Sequence, residues 1–94
     1  MPKKDPNIKP KEIEDISILE SRKHQIILYN DNVNTFDHVI ESLVKICEHT
    51  YIQAEQCAYI VHYSGKCAVK TGLLEELVPK CTALLEAGLS AEVI

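Results

Sequence analysis

Residues 26–40, IILYNDNVNTFDHVI, decide how this chain folds. Ile26, Ile27 and Leu28 form an apolar run rich in β-branched side chains, which predicts a strand over His24–Tyr29. Asn30, Asp31 and Asn32 end it, because short amide and carboxylate side chains bond the local backbone and favour turns and caps. Phe36, Val39, Ile40, Leu43 and Cys47 then recur at the spacing of one helix face, with Thr35 as the N-cap. The polar cluster therefore lies where a strand hands over to a helix, at the edge of the core. A second stretch, residues 59–66, YIVHYSGK, closes another apolar pattern with His62 just ahead of Gly65. An amide, a carboxylate and an imidazole beside apolar neighbours suit capture of a small cationic group next to a hydrophobic side chain. On the residues alone a plainer role stays open. Asn30 and Asp31 would make the turn, and His62 would favour the negative end of a helix.

Further along, Ile52, Ala54, Cys57, Ala58 and Val61 mark a second helix, ended by Gly65 as a left-handed cap. Cys67 to Val69 reads as a short strand. Leu74, Leu77, Val78, Cys81 and Leu85 mark a third helix stopped by Gly88, and Leu89 to Ile94 reads as a last strand. Pro79 predicts that the third helix begins late or bends, since proline removes a helical hydrogen bond and clashes with the preceding turn. The order strand, helix, helix, strand, helix, strand gives an α+β layer with helices against one face of a small sheet. Residues 1–22, with Pro2, Pro6 and Pro10 among charged side chains, predict a flexible N-terminal arm ahead of a core domain over 23–94.

With 94 residues there is room for one small domain. A net charge of −4 argues against nucleic-acid binding, which needs clustered Lys and Arg. No apolar run is long enough to span a membrane, and the N-terminal residues lack a signal core, so the cytoplasm is the expected compartment. Cys47, Cys57, Cys67 and Cys81 lack the close spacing of a zinc site and a secretory context. They are expected to be reduced structural thiols, with no metal and no cofactor. An enzyme using Asp31 and His62 as an acid–base pair with a cysteine nucleophile is a weaker reading. The chain has only three glycines, no phosphate-cradling loop, and no cysteine in an electropositive or helix-start setting.

The segment ILYND, an amphipathic helix and then VHYSGK together resemble the ClpS family of adaptor proteins for the bacterial Clp proteases. The resemblance runs from about His24 to the C-terminus. It implies a small antiparallel three-stranded sheet packed with three helices, in the order β-α-α-β-α-β. It sets Asn30, Asp31 and His62 at amine-binding positions and Val39, Val61 and Leu89 on the wall of a hydrophobic pocket. Phe36 falls at the pocket mouth, where relatives carry methionine. Asn34 replaces a threonine contact, Ala58 stands where methionine is common, and Asn32 replaces a second aspartate. Glu75 and Lys80 match charged positions on a face that docks onto the N-terminal domain of a Clp AAA+ ATPase. The implied function is non-enzymatic. The adaptor would bind the free α-amino group and bulky first side chain (Phe, Tyr, Trp or Leu) of N-degron proteins, and deliver them as a monomer to the ATPase–protease. The alternative is a docking module that modulates the ATPase without recognising amines.

Overall fold

The central strand is built from the deciding stretch. In the computed structural model, which describes residues 23–94, β1 spans Lys23–Tyr29 and buries Ile26 and Leu28 almost completely. The arm expected over residues 1–22 lies outside the described residues. β2 (Lys66–Leu73) and β3 (Ser90–Val93) flank β1, both antiparallel, giving the order β2-β1-β3. Helices α1 (Phe36–Cys47) and α2 (Tyr51–Ser64) follow β1, and α3 (Leu74–Glu86) joins β2 to β3. This is the expected β-α-α-β-α-β arrangement. Ile26 and Leu28 meet Ile40, Leu43, Ala54, Val61, Leu77 and Leu84 in one apolar cluster. Ile27, one residue out of phase along the strand, is outside it. Cys47 and Cys81 sit within the cluster, where a reduced thiol packs as a small hydrophobe.

The helix starts follow local chemistry. The Thr35 hydroxyl accepts from the His38 amide at 3.1 Å, capping α1 as its sequence position predicts. α2 starts one residue earlier than Ile52, because Thr50 and Gln53 form a reciprocal cap. The Thr50 hydroxyl accepts from the Gln53 amide at 3.1 Å, and the Gln53 side chain accepts from the Thr50 amide at 3.3 Å.

Two expectations change. β2 runs eight residues rather than three, since Lys70, Thr71 and Gly72 pair with Ile26, Gln25 and His24. The backbone of β1 needs partners along its whole length, and that demand outweighs the poor strand preference of Lys70 and Gly72. The register slips by one residue at Val69, where β2 bulges. The freed Val69 carbonyl accepts a 2.6 Å hydrogen bond from Nε2 of buried His49. Pro79, in turn, does not delay α3. The helix begins at Leu74 and passes through the proline, with the Glu76 carboxylate accepting from the Leu73 amide at 3.3 Å.

Candidate functional site

The N-terminal end of α1, the loop before it and the last turn of α2 enclose a cleft of about 320 Å³. Its polar rim comprises Asn30, Asp31, Asn32, Asn34, Thr35 and His62, and its apolar wall comprises Phe36, Val39, Ala58 and Val61. Strand pairing brings the rim together. The Asn30 amide donates to the Gly65 carbonyl at 2.9 Å, stitching the end of β1 to the turn after α2. Gly65 makes that turn with φ of 94°, a left-handed conformation that side chains resist, and His62 stands one turn upstream.

The loop is organised by Asp31. One carboxylate oxygen accepts from the amides of Val33 and Asn34 at 2.9 and 2.8 Å, and the other accepts from the Asn34 side chain at 2.8 Å. These bonds, led by the one from the Asn34 backbone, hold the Asp31 carboxyl below its ordinary range, so it is anionic at neutral pH. Turn-making is therefore one role of Asp31, as the plainer reading expects. Carboxylate oxygens have further lone pairs, so the charge at the cleft mouth can accept additional donors. Asn34 also donates to the Gly88 carbonyl at 2.9 Å, and His38 Nε2 donates to the Ala87 carbonyl at 2.7 Å. Both tie the mouth of the cleft to the α3–β3 turn.

Ala58 and Val61 are buried and Val39 half-buried, so the wall is part of the core surface. Leu89 does not line the open cleft. It borders an adjoining cavity of about 20 Å³ that shares Asn30, Asp31, Asn34, Val39 and Val61 with the cleft and adds Leu28 and Tyr29. That space holds about one water molecule, so Leu89 acts as a floor behind the wall. Phe36 packs its ring 5.1 Å from the His62 imidazole, closing one side of the rim. The arrangement presents acceptors around an apolar hollow, at the small end of the range of about 300–1,000 Å³ for ligand sites.

A family model described as ATP-dependent Clp protease adaptor protein ClpS matches residues 19–92. The chain belongs to the ClpS family. Among its relatives, the ATP-dependent Clp protease adapter protein ClpS of Thermosynechococcus vestitus is 33% identical over 86 residues, 90% of this chain and 92% of that one. The ClpS of Campylobacter jejuni subsp. doylei is 32% identical over 66 residues, 68% of this chain and 69% of that one. A similar solved structure is that of Agrobacterium tumefaciens ClpS2 bound to L-phenylalaninamide. It has a TM-score of 0.72 and 18% identity, covering 79% of this chain and 96% of that chain, a likeness of fold. A ClpS-family chain is thus an adaptor of the Clp protease, not the protease itself.

Eight of the eleven residues singled out in the sequence border the open cleft: Asn30, Asp31, Asn34, Phe36, Val39, Ala58, Val61 and His62. Glu75 and Lys80 lie elsewhere. Glu75 is exposed in the first turn of α3. The Lys80 ammonium donates to the Ile46 carbonyl at 3.3 Å and stands 4.0 Å from the Glu48 carboxylate. Lys70 flanks the same carboxylate at 3.6 Å and donates to the Cys47 carbonyl at 3.1 Å. Two lysines thus converge on the C-terminal end of α1, where unpaired carbonyls favour positive charge.

The thiols are set for packing. Burial pushes Cys47 up to about 11 and Cys57 up to about 12, the opposite of what a nucleophile requires. Sequence reasoning missed Thr35 as a rim residue and the bridge from Asp31 through Asn34 to Gly88. It also missed Tyr59, whose ring lies 5.1 Å from that of Phe36. The spacing of Tyr59, His62 and Tyr63 was the available signal, because residues three and four apart share a helix face.

Proposed function

We propose that this chain recognises proteins by a free N-terminal α-amino group and a bulky apolar first side chain, and delivers them to a Clp ATPase for degradation. The observation that carries the reading is the combination of acceptors and apolar wall in one cleft. An α-ammonium is a compact donor of three hydrogen bonds. The Asn30 side-chain carbonyl, the Asp31 carboxylate and a neutral His62 nitrogen would take those bonds, with Asp31 adding charge assistance. The first side chain would enter between Val39, Ala58 and Val61, with Leu89 as floor and Phe36 and Asn34 at the mouth. Phe, Tyr, Trp and Leu fit such a hollow by their apolar bodies. The L-phenylalaninamide bound to A. tumefaciens ClpS2 joins a free amine to an aromatic side chain, and supports the same reading here.

Delivery needs a second surface. Glu75 and Lys80 are proposed to face the N-terminal domain of a Clp AAA+ ATPase, with the adaptor acting as a cytoplasmic monomer. ATP hydrolysis and peptide-bond cleavage belong to the partner.

The test is fluorescence anisotropy of a labelled peptide beginning with Phe, titrated with the protein, against the same peptide acetylated at its N-terminus. Acetylation removes the charge and leaves the acceptors of the site unpaired, so affinity should fall by roughly a hundredfold or more. Equal binding of both peptides would overturn amine recognition. Binding of neither, with Tyr, Trp and Leu starts tried, would leave the docking module.

A further inference from the structure

Among the described residues, the apolar core contains no Phe or Tyr ring. Of the chain's single Phe and four Tyr residues, Phe36, Tyr59 and Tyr63 instead form a strip on the surface, beginning at the rim of the cleft. Phe36 lies 5.1 Å from both Tyr59 and His62. Tyr59 and Tyr63 are nearly parallel, with centroids 6.2 Å apart and an interplanar angle of 7°. His62 meets Tyr63 edge-on at 4.8 Å. Exposure rises along the strip, from 37% at Phe36 through 49% at Tyr59 to 77% at Tyr63. Large rings held outward on a rigid helix contribute little to the core. They offer broad, preorganised contact area at low entropic cost, as Tyr does at recognition surfaces.

We infer that Tyr59 and Tyr63 form a second subsite, which receives the side chains of the residues directly behind the first one in a bound peptide. It prefers those with a flat π-face, aromatic or guanidinium, over small or acidic ones. The inference rests on the proposed amine reading, because continuity with the cleft sets the occupant. Phe36 and His62 line the cleft and also touch the tyrosines. A peptide anchored by its amine at the rim leaves the cleft beside these two rings. An extended chain advances about 3.3 Å per residue with alternating side chains, so the second or third residue reaches the tyrosine faces. Tyrosine faces attract aromatic rings by offset stacking and guanidinium by cation–π interaction. A carboxylate meets the negative face of the rings, and Asp31 nearby adds like charge.

The experiment is a ratio of affinities. Labelled peptides with free N-termini, beginning Phe-Ala, Phe-Tyr, Phe-Arg and Phe-Asp and otherwise identical, are titrated by anisotropy, with acetylated Phe-Tyr as control. Phe-Tyr and Phe-Arg should bind roughly threefold to tenfold tighter than Phe-Ala, and Phe-Asp weaker. In the doubly substituted Y59A, Y63A protein the ratio should collapse to about one. In the Y59F, Y63F protein, which keeps both faces, it should persist. A ratio near one on the native chain, with the free Phe-Ala peptide bound and the acetylated control not, overturns the subsite and leaves amine recognition standing. A ratio that survives the double alanine change also overturns it. If the acetylated control binds as well as the free peptide, the amine reading falls and the subsite falls with it.

Discussion

The two ends of α1 use charge in opposite ways. At its C-terminal end Lys70 and Lys80 bracket the single Glu48 carboxylate and donate to the last carbonyls of the helix, so each charged group there has a partner. At its N-terminal end Asp31 is held anionic by backbone and amide donors, with no ammonium paired to it among the described residues, and an apolar hollow opens next to it. Residues 36 and 46 are separated by about 15 Å of helix, so a peptide in the cleft and a partner at Lys80 would not collide.

The sharpest way to break this contrast is at Asp31. Asp31→Ala should cost roughly thirtyfold to a hundredfold in affinity for a Phe-start peptide, and Val39→Ala clearly less, as read by titration calorimetry. Equal losses would contradict a charge-led site. Asp31→Asn separates the two roles of the residue, since one amide oxygen still accepts from Val33 and Asn34. If the charge matters most, Asn loses nearly as much as Ala. If the turn matters most, Asn retains most of the binding.

Asn34→Ala comes next. It removes the side-chain bonds to Asp31 and Gly88 and leaves the backbone bond to Asp31, so thermal or denaturant unfolding should show a loss of about 1–2 kcal/mol, together with a several-fold loss of peptide affinity. A variant that binds normally would mean that the α3–β3 turn does not support the mouth of the cleft.

A pH titration gives a smaller effect with a definite sign. The Asp31 carboxyl is depressed in the folded chain, so its contribution is complete above the unfolded value near 3.8 and is lost as pH falls through the folded value. The Asp31-dependent part of stability should therefore be flat from neutral pH down to about pH 4 and decline only below it. Asp31→Asn should remove that acid limb. A limb that persists unchanged belongs to another carboxylate.

At the other end of the helix the effects on folding should be smallest. Glu48 is exposed, so Glu48→Ala should change stability by less than about 1 kcal/mol and leave peptide affinity within error. Lys80→Ala should likewise spare the peptide while weakening binding to the Clp ATPase N-terminal domain. Loss of peptide binding in either variant would join two regions that the fold holds a helix length apart.

Much of this is legible in the residues. The periodicity of Phe36 to Cys47, the Thr35 cap and the break at Asn30 to Asn32 are local signals, and each element forms where they lie. The resemblance carried by ILYND and VHYSGK gathers eight residues that line one cleft. Leu89, assigned to the same wall, borders the small cavity that adjoins the cleft, held in the turn before β3 by the bond from its amide to the Leu84 carbonyl. β2 reads too short in the sequence because Lys70 and Gly72 have weak strand preference, which the demand of β1 for partners overrides. The capping pair Thr50 and Gln53 is also a local signal, and sequence reasoning missed it.

By itself, then, the sequence determined element order, helix faces, caps and the chemical character of the cleft, since these depend on interactions within about four residues. Only the tertiary structure decided which partners distant groups would take. Asn34 reaches Gly88, His49 holds the bulge at Val69, and Phe36 meets Tyr59. Such pairings follow from strand register and helix packing, where a shift of one residue sends a side chain to the other face.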